Sequence, residues 1–294
     1  MTTRPMGLVL DMPFEDYLAV DALSASGMRE LSRSAWHFKH RVQIVPTPAM
    51  LNGTLTHCAQ LEPDAMGARY VVVPEDAPKR PSKTQWAAKK PSPESVAAMA
   101  WWKDFSDRAA ARRIVDAEAY AITQQQLEAI KAEPELSELF SSGYGEVSVF
   151  WVDKATGVYC KARPDWMHYT GARSVKVIDL KAVADDTPAG FSRSVTRLGY
   201  HRAQVHYRRG VESLGLKVDD FVFAAVSSTP PVLAVPYRLL DEAVLQGEEE
   251  CDELLELYAR CVANNNWPAY TPDERLVGLQ GWAKRSQEIE VGYA

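Results

Sequence analysis

The segment Val177–Asp185 reads VIDLKAVAD, and it constrains the fold more than any other stretch. Val177, Ile178 and Leu180 suit a buried strand, yet Asp179 and Lys181 sit inside the same run. Side chains at i and i+2 of a strand point to one face. A carboxylate and an ammonium therefore project side by side from a sheet with a dry interior. Either ion alone would be costly to bury, and a pair resists that penalty better. On its own, an Asp-x-Lys in a strand usually marks a solvated edge, so its neighbours along the chain must decide.

The 294 residues are 46% hydrophobic and 24% charged, an ordinary globular balance that fits one large domain. The expected division is an N-terminal extension over 1–20, a folded domain over 21–270 and a C-terminal tail over 271–294. No run of 18 apolar residues indicates a membrane span, and the N-terminus does not read as a signal peptide. Cys58, Cys160, Cys251 and Cys261 form no CxxC pair. Reduced thiols in a cytoplasmic protein are the expectation, without a zinc site. A net charge of −6 weighs against a protein that coats nucleic acid nonspecifically. It leaves room for an enzyme with a local basic channel, because acidic metal ligands lower the count.

The element pattern runs from helices to strands. Ser24 or Ser26 in LSASGMREL is placed to cap a helix. LNGTLTHCAQLEPDAM reads as a second helix, and two more fall at about 94–113 and 123–140, the latter broken near Pro134. GEVSVFWVDKATGVYCKARPDWMHY reads as a β-hairpin turning at DKATG. SVKVIDLKAV, DDFVFAAVSS and PPVLAVPYRL are further strands. A helix at YHRAQVHYRRGVESLG separates the first two, and a long amphipathic helix follows the last. The order predicts an α/β domain with a mixed central sheet flanked by helices.

Four polar features fall in one order along these elements. GTLTH places His57 on a helix, ARPDWM places Asp165 near a strand end, the central strand carries Asp179 and Lys181, and QVHY places Gln204 and Tyr207 on the next helix. Two carboxylates and a neutral imidazole suit a hard or borderline divalent ion. A nearby lysine can orient or deprotonate an attacking water, or neutralise developing charge. Metal and lysine together support attack of water on a phosphodiester. Each feature alone is commonplace: a lone helical His is more often core packing, and an Asp after proline is more often a turn acid. Their joint order is what points to a site.

On these motifs the sequence resembles the PD-(D/E)XK nuclease superfamily, in its RecE-like (exodeoxyribonuclease VIII) and lambda-exonuclease-type branch. The resemblance covers roughly residues 20–270. NGTLTHCAQLEPD resembles the G-x-x-x-H/E helix, CKARPDWM the PD motif and VIDLKAV the (D/E)-x-K motif. It implies His57, Asp165, Asp179 and the Leu180 backbone carbonyl as metal ligands and Lys181 as the catalytic lysine. The implied cofactor is Mg²⁺, two ions, replaceable by Mn²⁺. One departure stands out: glutamine falls one position late, so Gln204 and Tyr207 give the shorter Q-x-x-Y spacing. They still share a helical face.

The resemblance further implies 5′-to-3′ digestion of linear double-stranded DNA ends to leave 3′ overhangs for recombination. It implies a RecT-like single-strand annealing partner and a homo-oligomeric ring, tetramer or trimer. Ser24 and Ser26, with Arg29 or Arg33, are candidates for a terminal phosphate, since helix starts bind anions. Arg193, Arg197, Arg202, Arg208 and Arg209 surround the helix of Gln204 and Tyr207, and the first three are candidates for the DNA backbone. The Lys79–Lys90 loop, with Trp86, reads as solvated or DNA-facing. Glu146 on the hairpin reads as a second-rank metal neighbour or a structural acid. The alternatives are a Cas4-like or RecB-like nuclease and a noncatalytic DNA-end-binding protein of the same fold. The cysteines lack the clustering an iron–sulfur cluster needs, and the intact Asp165, Asp179 and Lys181 weigh against loss of catalysis.

Overall fold

The computed structural model describes residues 4–42 and 45–270, so the tail over 271–294 lies outside the described residues. The described strands are β1 Gly7–Val9, β2 Tyr70–Val72, β3 Arg113–Val115, β4 Tyr144–Gly145, β5 Ser148–Val152, β6 Tyr159–Ala162, β7 Trp166–Gly171, β8 Ser174–Val183, β9 Lys217–Ser227 and β10 Ala234–Tyr237. The central sheet has five strands in the order β10-β9-β8-β7-β4. It is mixed: β8 pairs parallel with β9 and antiparallel with β7. Parallel neighbours need a crossover, and the helices Pro188–Leu198 and Tyr200–Glu212 supply it. Gly199 joins them at φ 70°, a left-handed conformation that suits glycine.

The sequence hairpin forms, but in a second sheet. β5 and β6 pair antiparallel and β1 adds to the edge of β5. Thr156 closes the turn by donating its N–H, at 2.9 Å, and its hydroxyl, at 2.6 Å, to Asp153 Oδ1. Recruitment of β1 ties residues 7–20 to the folded unit. Tyr17 buries its ring against Phe150 and Tyr159, and Lys161 Nζ donates to the carbonyls of Tyr17, Leu18 and Val20. A buried ammonium thus caps the C-terminal end of the Phe14–Ala19 helix, where a cation is favoured.

β8 is buried on both faces, as a strand with parallel pairing should be. Val175, Val177 and Val183 join the core shared with Val205 and Val211 of the Tyr200–Glu212 helix. Ile178 and Leu180 join the opposite core, with Ile130, Leu136 and Leu139. The alternation has period two, and Asp179 and Lys181 interrupt the first face between Val177 and Val183. The segment read as one serine-led helix divides into Ala25–Leu31 and Ala35–Lys39. Ser34 restarts the chain as a second N-cap, its hydroxyl accepting from His37 N at 3.2 Å.

Two consequences are measurable. Phe223 is fully buried on β9, and Phe223→Ala should cost about 3–5 kcal/mol in denaturant unfolding. His206, 1% exposed, is held to a pKa of about 4, chiefly by burial, against an ordinary 6.5. A depressed histidine supports the fold fully above pH 6.5, and that support is lost as pH falls through the folded value of about 4. His206→Phe should therefore flatten the acid limb of the stability–pH curve. An unchanged limb would contradict a neutral buried imidazole.

Candidate metal centre

The register of β7 on β8 builds the centre. Trp166 pairs with Ile178 and Met167 with Val177. Continuing that register by one residue sets Asp165 beside Asp179. The preceding Pro164 lacks an N–H and cannot extend the ladder. The Asp165 side chain takes over, its Oδ2 accepting the Leu180 N–H at 2.7 Å. Asp165 is 9% exposed and Asp179 2%. Two acids facing each other across a strand pair repel. Burial first, and then the Asp179 charge, push the Asp165 carboxyl well above the usual range, while Lys181 pulls the other way.

Lys181 supplies the positive charge at the centre. Its Nζ lies 2.6 Å from Asp179 Oδ2, 3.5 Å from the Leu180 carbonyl and 5.4 Å from the centre of the Tyr200 ring. Burial disfavours the ammonium, yet Asp179 and Asp165 outweigh it and raise the Lys181 pKa. Lys181 is therefore an ammonium at neutral pH. Its ammonium is a positive charge beside both acids.

The Pro48–Leu61 helix, capped by Thr47 and started by Pro48, delivers His57. His57 Nε2 is 2.9 Å from the Leu180 carbonyl. A carbonyl only accepts, so Nε2 carries the proton and Nδ1 keeps its lone pair. Nδ1 lies 3.7 Å from Asp165 Oδ2. Burial, then Lys181, lower the His57 pKa to about 4. The imidazole is thus neutral near pH 7, with a free lone pair beside a carboxylate, the state a metal ligand needs.

Glu146 completes a donor set. It adopts φ 53°, and its N–H donates to the Asp165 carbonyl at 2.9 Å. This left-handed turn lies just before β5 and brings the Glu146 carboxylate toward the centre. The ligand atoms of His57, Glu146 and Asp165 all lie within 4.8 Å of one another. Arg163 Nε donates to Glu146 Oε2 at 2.6 Å, and its Nη1 donates to Met12 O and Ser148 Oγ. Glu146 is thus both a structural acid and a neighbour of the centre. Two carboxylates and one imidazole at this spacing fit a divalent cation, which would also relieve the repulsion that raises Asp165. Glu146 stands with His57 and Asp165 in this set, while Asp179, which the resemblance also implies as a ligand, lies 2.6 Å from Lys181 Nζ. The Leu180 carbonyl is also engaged, accepting from His57. Arg163, which fixes Glu146, escaped the sequence reading. The only hint was its position two residues before Asp165.

The centre opens into a cleft of about 1980 Å³ whose lining includes His57, Asp165, Lys181 and Tyr207. Ser24, Ser26 and Arg29 line it as well. The Ser24 hydroxyl accepts from Gly27 N at 3.2 Å and lies 3.0 Å from Ser26 Oγ. Gln204 is buried, with no hydrogen-bond partner for Oε1 among the described residues. Arg193, Arg197 and Arg202 are not among the residues lining the cleft. Arg193 pairs with Asp185 at 2.7 Å, and Arg202 pairs with Glu250 of the Asp241–Asn264 helix. Arg208 and Arg209 are likewise engaged, by Glu248 and Asp252. His201 faces Glu250 at 3.1 Å. Within the Lys79–Lys90 segment, Ser82 and Gln85 form a capping box and Arg80 sits over the Trp102 ring.

Loading the centre should compete with the raised proton affinity of Asp165. Calorimetric titration with Mn²⁺ is expected to show proton release, and an affinity that rises with pH. Asp165→Asn and Glu146→Gln should each weaken binding by about tenfold or more. An affinity independent of pH, or of both substitutions, would contradict this donor set.

Known proteins agree with this architecture. The family model described as "PDDEXK-like domain of unknown function (DUF3799)" matches residues 24–274. A solved structure described as a "putative exonuclease" from Eubacterium rectale superposes with a TM-score of 0.52 at 13% identity, covering 87% of this chain and 88% of that one. At that identity the likeness speaks for the fold. No curated protein matches the sequence. The match over 24–274 spans most of the chain, which belongs to the PDDEXK-like DUF3799 family.

Proposed function

We propose that this chain is a divalent-metal-dependent exodeoxyribonuclease acting on linear double-stranded DNA. The observation that carries the proposal is Lys181. Its ammonium is fixed on β8 by Asp179, one residue from the Leu180 carbonyl that anchors His57 and beside the Asp165 carboxyl. A buried cation adjoining a cation-attracting donor set suits a phosphodiester, whose negative charge grows as water adds. The PDDEXK-like family and fold support a nuclease.

A divalent ion, when bound, polarises the phosphate oxygens and lowers the pKa of water. His57, Glu146 and Asp165 would hold it, with Asp179 reaching a second ion. The residues of the chain do the rest. Lys181 remains an ammonium and stabilises the charge that develops on the phosphoryl oxygens. Asp179 holds Lys181 in place and accepts a hydrogen bond from the incoming water. Tyr207 lines the cleft, and Gln204 is buried on the same helix. Water forms the new P–O bond, the P–O3′ bond breaks, and the products are a 5′-phosphate and a 3′-hydroxyl.

The finer parts of the proposal rest on the motif resemblance. They are Mg²⁺ as the working ion, 5′-to-3′ polarity, 3′ overhangs for phage-type recombination, a RecT-like annealing partner and a ring of three or four copies. Ser24, Ser26 and Arg29 in the cleft support an end-binding role. No described helix is long and apolar enough to cross a membrane.

The test is a linear duplex labelled at the 5′ or the 3′ end, incubated with Mg²⁺ or with EDTA. Label should leave the 5′ end first, in Mg²⁺ only. Lys181→Met and Asp179→Asn should each slow release by about 10²–10³-fold. Release in EDTA, or near-normal rates in both variants, would overturn the nuclease reading. Loss of the 3′ label first would overturn the polarity.

A further inference from the structure

A second groove, of about 800 Å³, lies against the cleft that holds the metal centre. Asp21, Phe38 and Arg41 line both, so the two adjoin. The cations of this groove are Arg4, Lys39 and Arg41, and all three are exposed. Asp21 is the only acid among its described lining residues.

These cations are held differently from those of the Tyr200–Glu212 helix. Arg202, Arg208, Arg209 and Arg238 each pair with a carboxylate. Arg4, Lys39 and Arg41 form no ion pair among the described residues. Each sits on an aromatic ring instead: Arg4 over Tyr159 at 5.3 Å, Lys39 over Trp267 at 5.1 Å and Arg41 over Phe38 at 4.1 Å. The rings are themselves stacked from behind. Phe38 and Trp267 lie 5.5 Å apart at 19°, and Tyr159 and Phe150 lie 6.3 Å apart at 21°. A guanidinium laid flat on a ring keeps its in-plane N–H donors free, whereas a carboxylate partner would occupy them. Arg41 uses one donor on the Phe38 carbonyl, at 2.6 Å, and keeps the others. The Trp267 Nε1–H, buried in the same wall, has no acceptor among the described residues. On a chain of net charge −6, this is a local set of ordered, unneutralised donors.

We propose that this groove binds the phosphate backbone of a single nucleic-acid strand continuing from the cleft, through Arg4, Lys39 and Arg41. The groove matches a small-molecule site in size, room for a nucleotide or two and not for a duplex. With the rings already covered by cations, binding is by charge and N–H donors more than by base stacking. It is therefore indifferent to sequence and steep in salt. The inference takes from the nuclease proposal only the origin of the strand.

The test is fluorescence anisotropy of a labelled oligothymidylate of about 20 nucleotides with the full chain in EDTA, over a range of salt. Each phosphate contact to a single strand contributes about 0.7 to the slope of log K against log salt. Lys39→Ala/Arg41→Ala should bind about tenfold or more weakly, with a slope shallower by about 1.4. Lys39→Arg/Arg41→Lys should restore both. Arg108→Ala, which breaks an exposed pair with Asp104 outside the groove, should change neither. If the double variant fails to fold by circular dichroism, Lys39→Gln alone should lower the slope by about 0.7. Wild-type affinity and slope in the folded variants would overturn the proposal. An equal loss for a blunt duplex of the same length would overturn the single-strand assignment. Because the readout needs no cleavage, an inactive wild-type protein would sink the nuclease reading and leave the groove standing. Unchanged anisotropy beside active cleavage would do the reverse.

Discussion

Two buried carboxylates facing each other across the β7–β8 pair are the constraint on which the site depends. Asp165 and Asp179 could not both stay ionised in a dry sheet without nearby positive charge. Lys181 supplies one charge and takes Asp179 at 2.6 Å. Asp165 is left with a backbone N–H and a raised pKa. That imbalance is a standing demand for a second cation. The neutral His57 and the turned-in Glu146 place further donors where such a cation would sit.

The sheet makes the demand persistent. Because β8 is packed on both faces, neither acid can swing out to water without breaking a core of valines, leucines and phenylalanines. The other members come from outside the sheet, His57 from a capped helix and Glu146 from a left-handed turn. Both are tied to β7–β8 by backbone hydrogen bonds, His57 to Leu180 O and Glu146 N to Asp165 O. Donors from separate elements thus keep their spacing before any ion binds, which lowers the reorganisation that binding requires.

Much of this could be read from the chain and some could not, for physical reasons. Period-two patterning announced β8, and the D-x-K interruption announced a polar site on one face. The long helix Asp241–Asn264 and the hairpin turn were equally plain. The division of the strands into two sheets was not, because β1 joins β5 across more than a hundred residues with only a short apolar stretch as signal. Glu146 was visible as a residue, but its place in the donor set depends on a positive φ that composition does not reveal. Arg202, Arg208 and Arg209 looked like a DNA-facing row, yet the acids that engage them lie on a helix forty residues or more downstream. Charge counts along the sequence do not show such pairing. The ring-held cations of the second groove were unreadable for the same reason, since Arg4, Tyr159 and Trp267 meet only in the fold.

The central claim is that Asp165, opposed by Asp179 across the strand pair, holds a divalent ion together with His57 and Glu146. Anomalous diffraction from crystals soaked in Mn²⁺ tests it most directly. The account expects a peak bounded by His57 Nδ1 and the carboxylates of Glu146 and Asp165, at ordinary metal–ligand distances of about 2.0–2.2 Å, with the Lys181 ammonium beside it. A peak away from these three residues, or none at a concentration that saturates binding in solution, would contradict it.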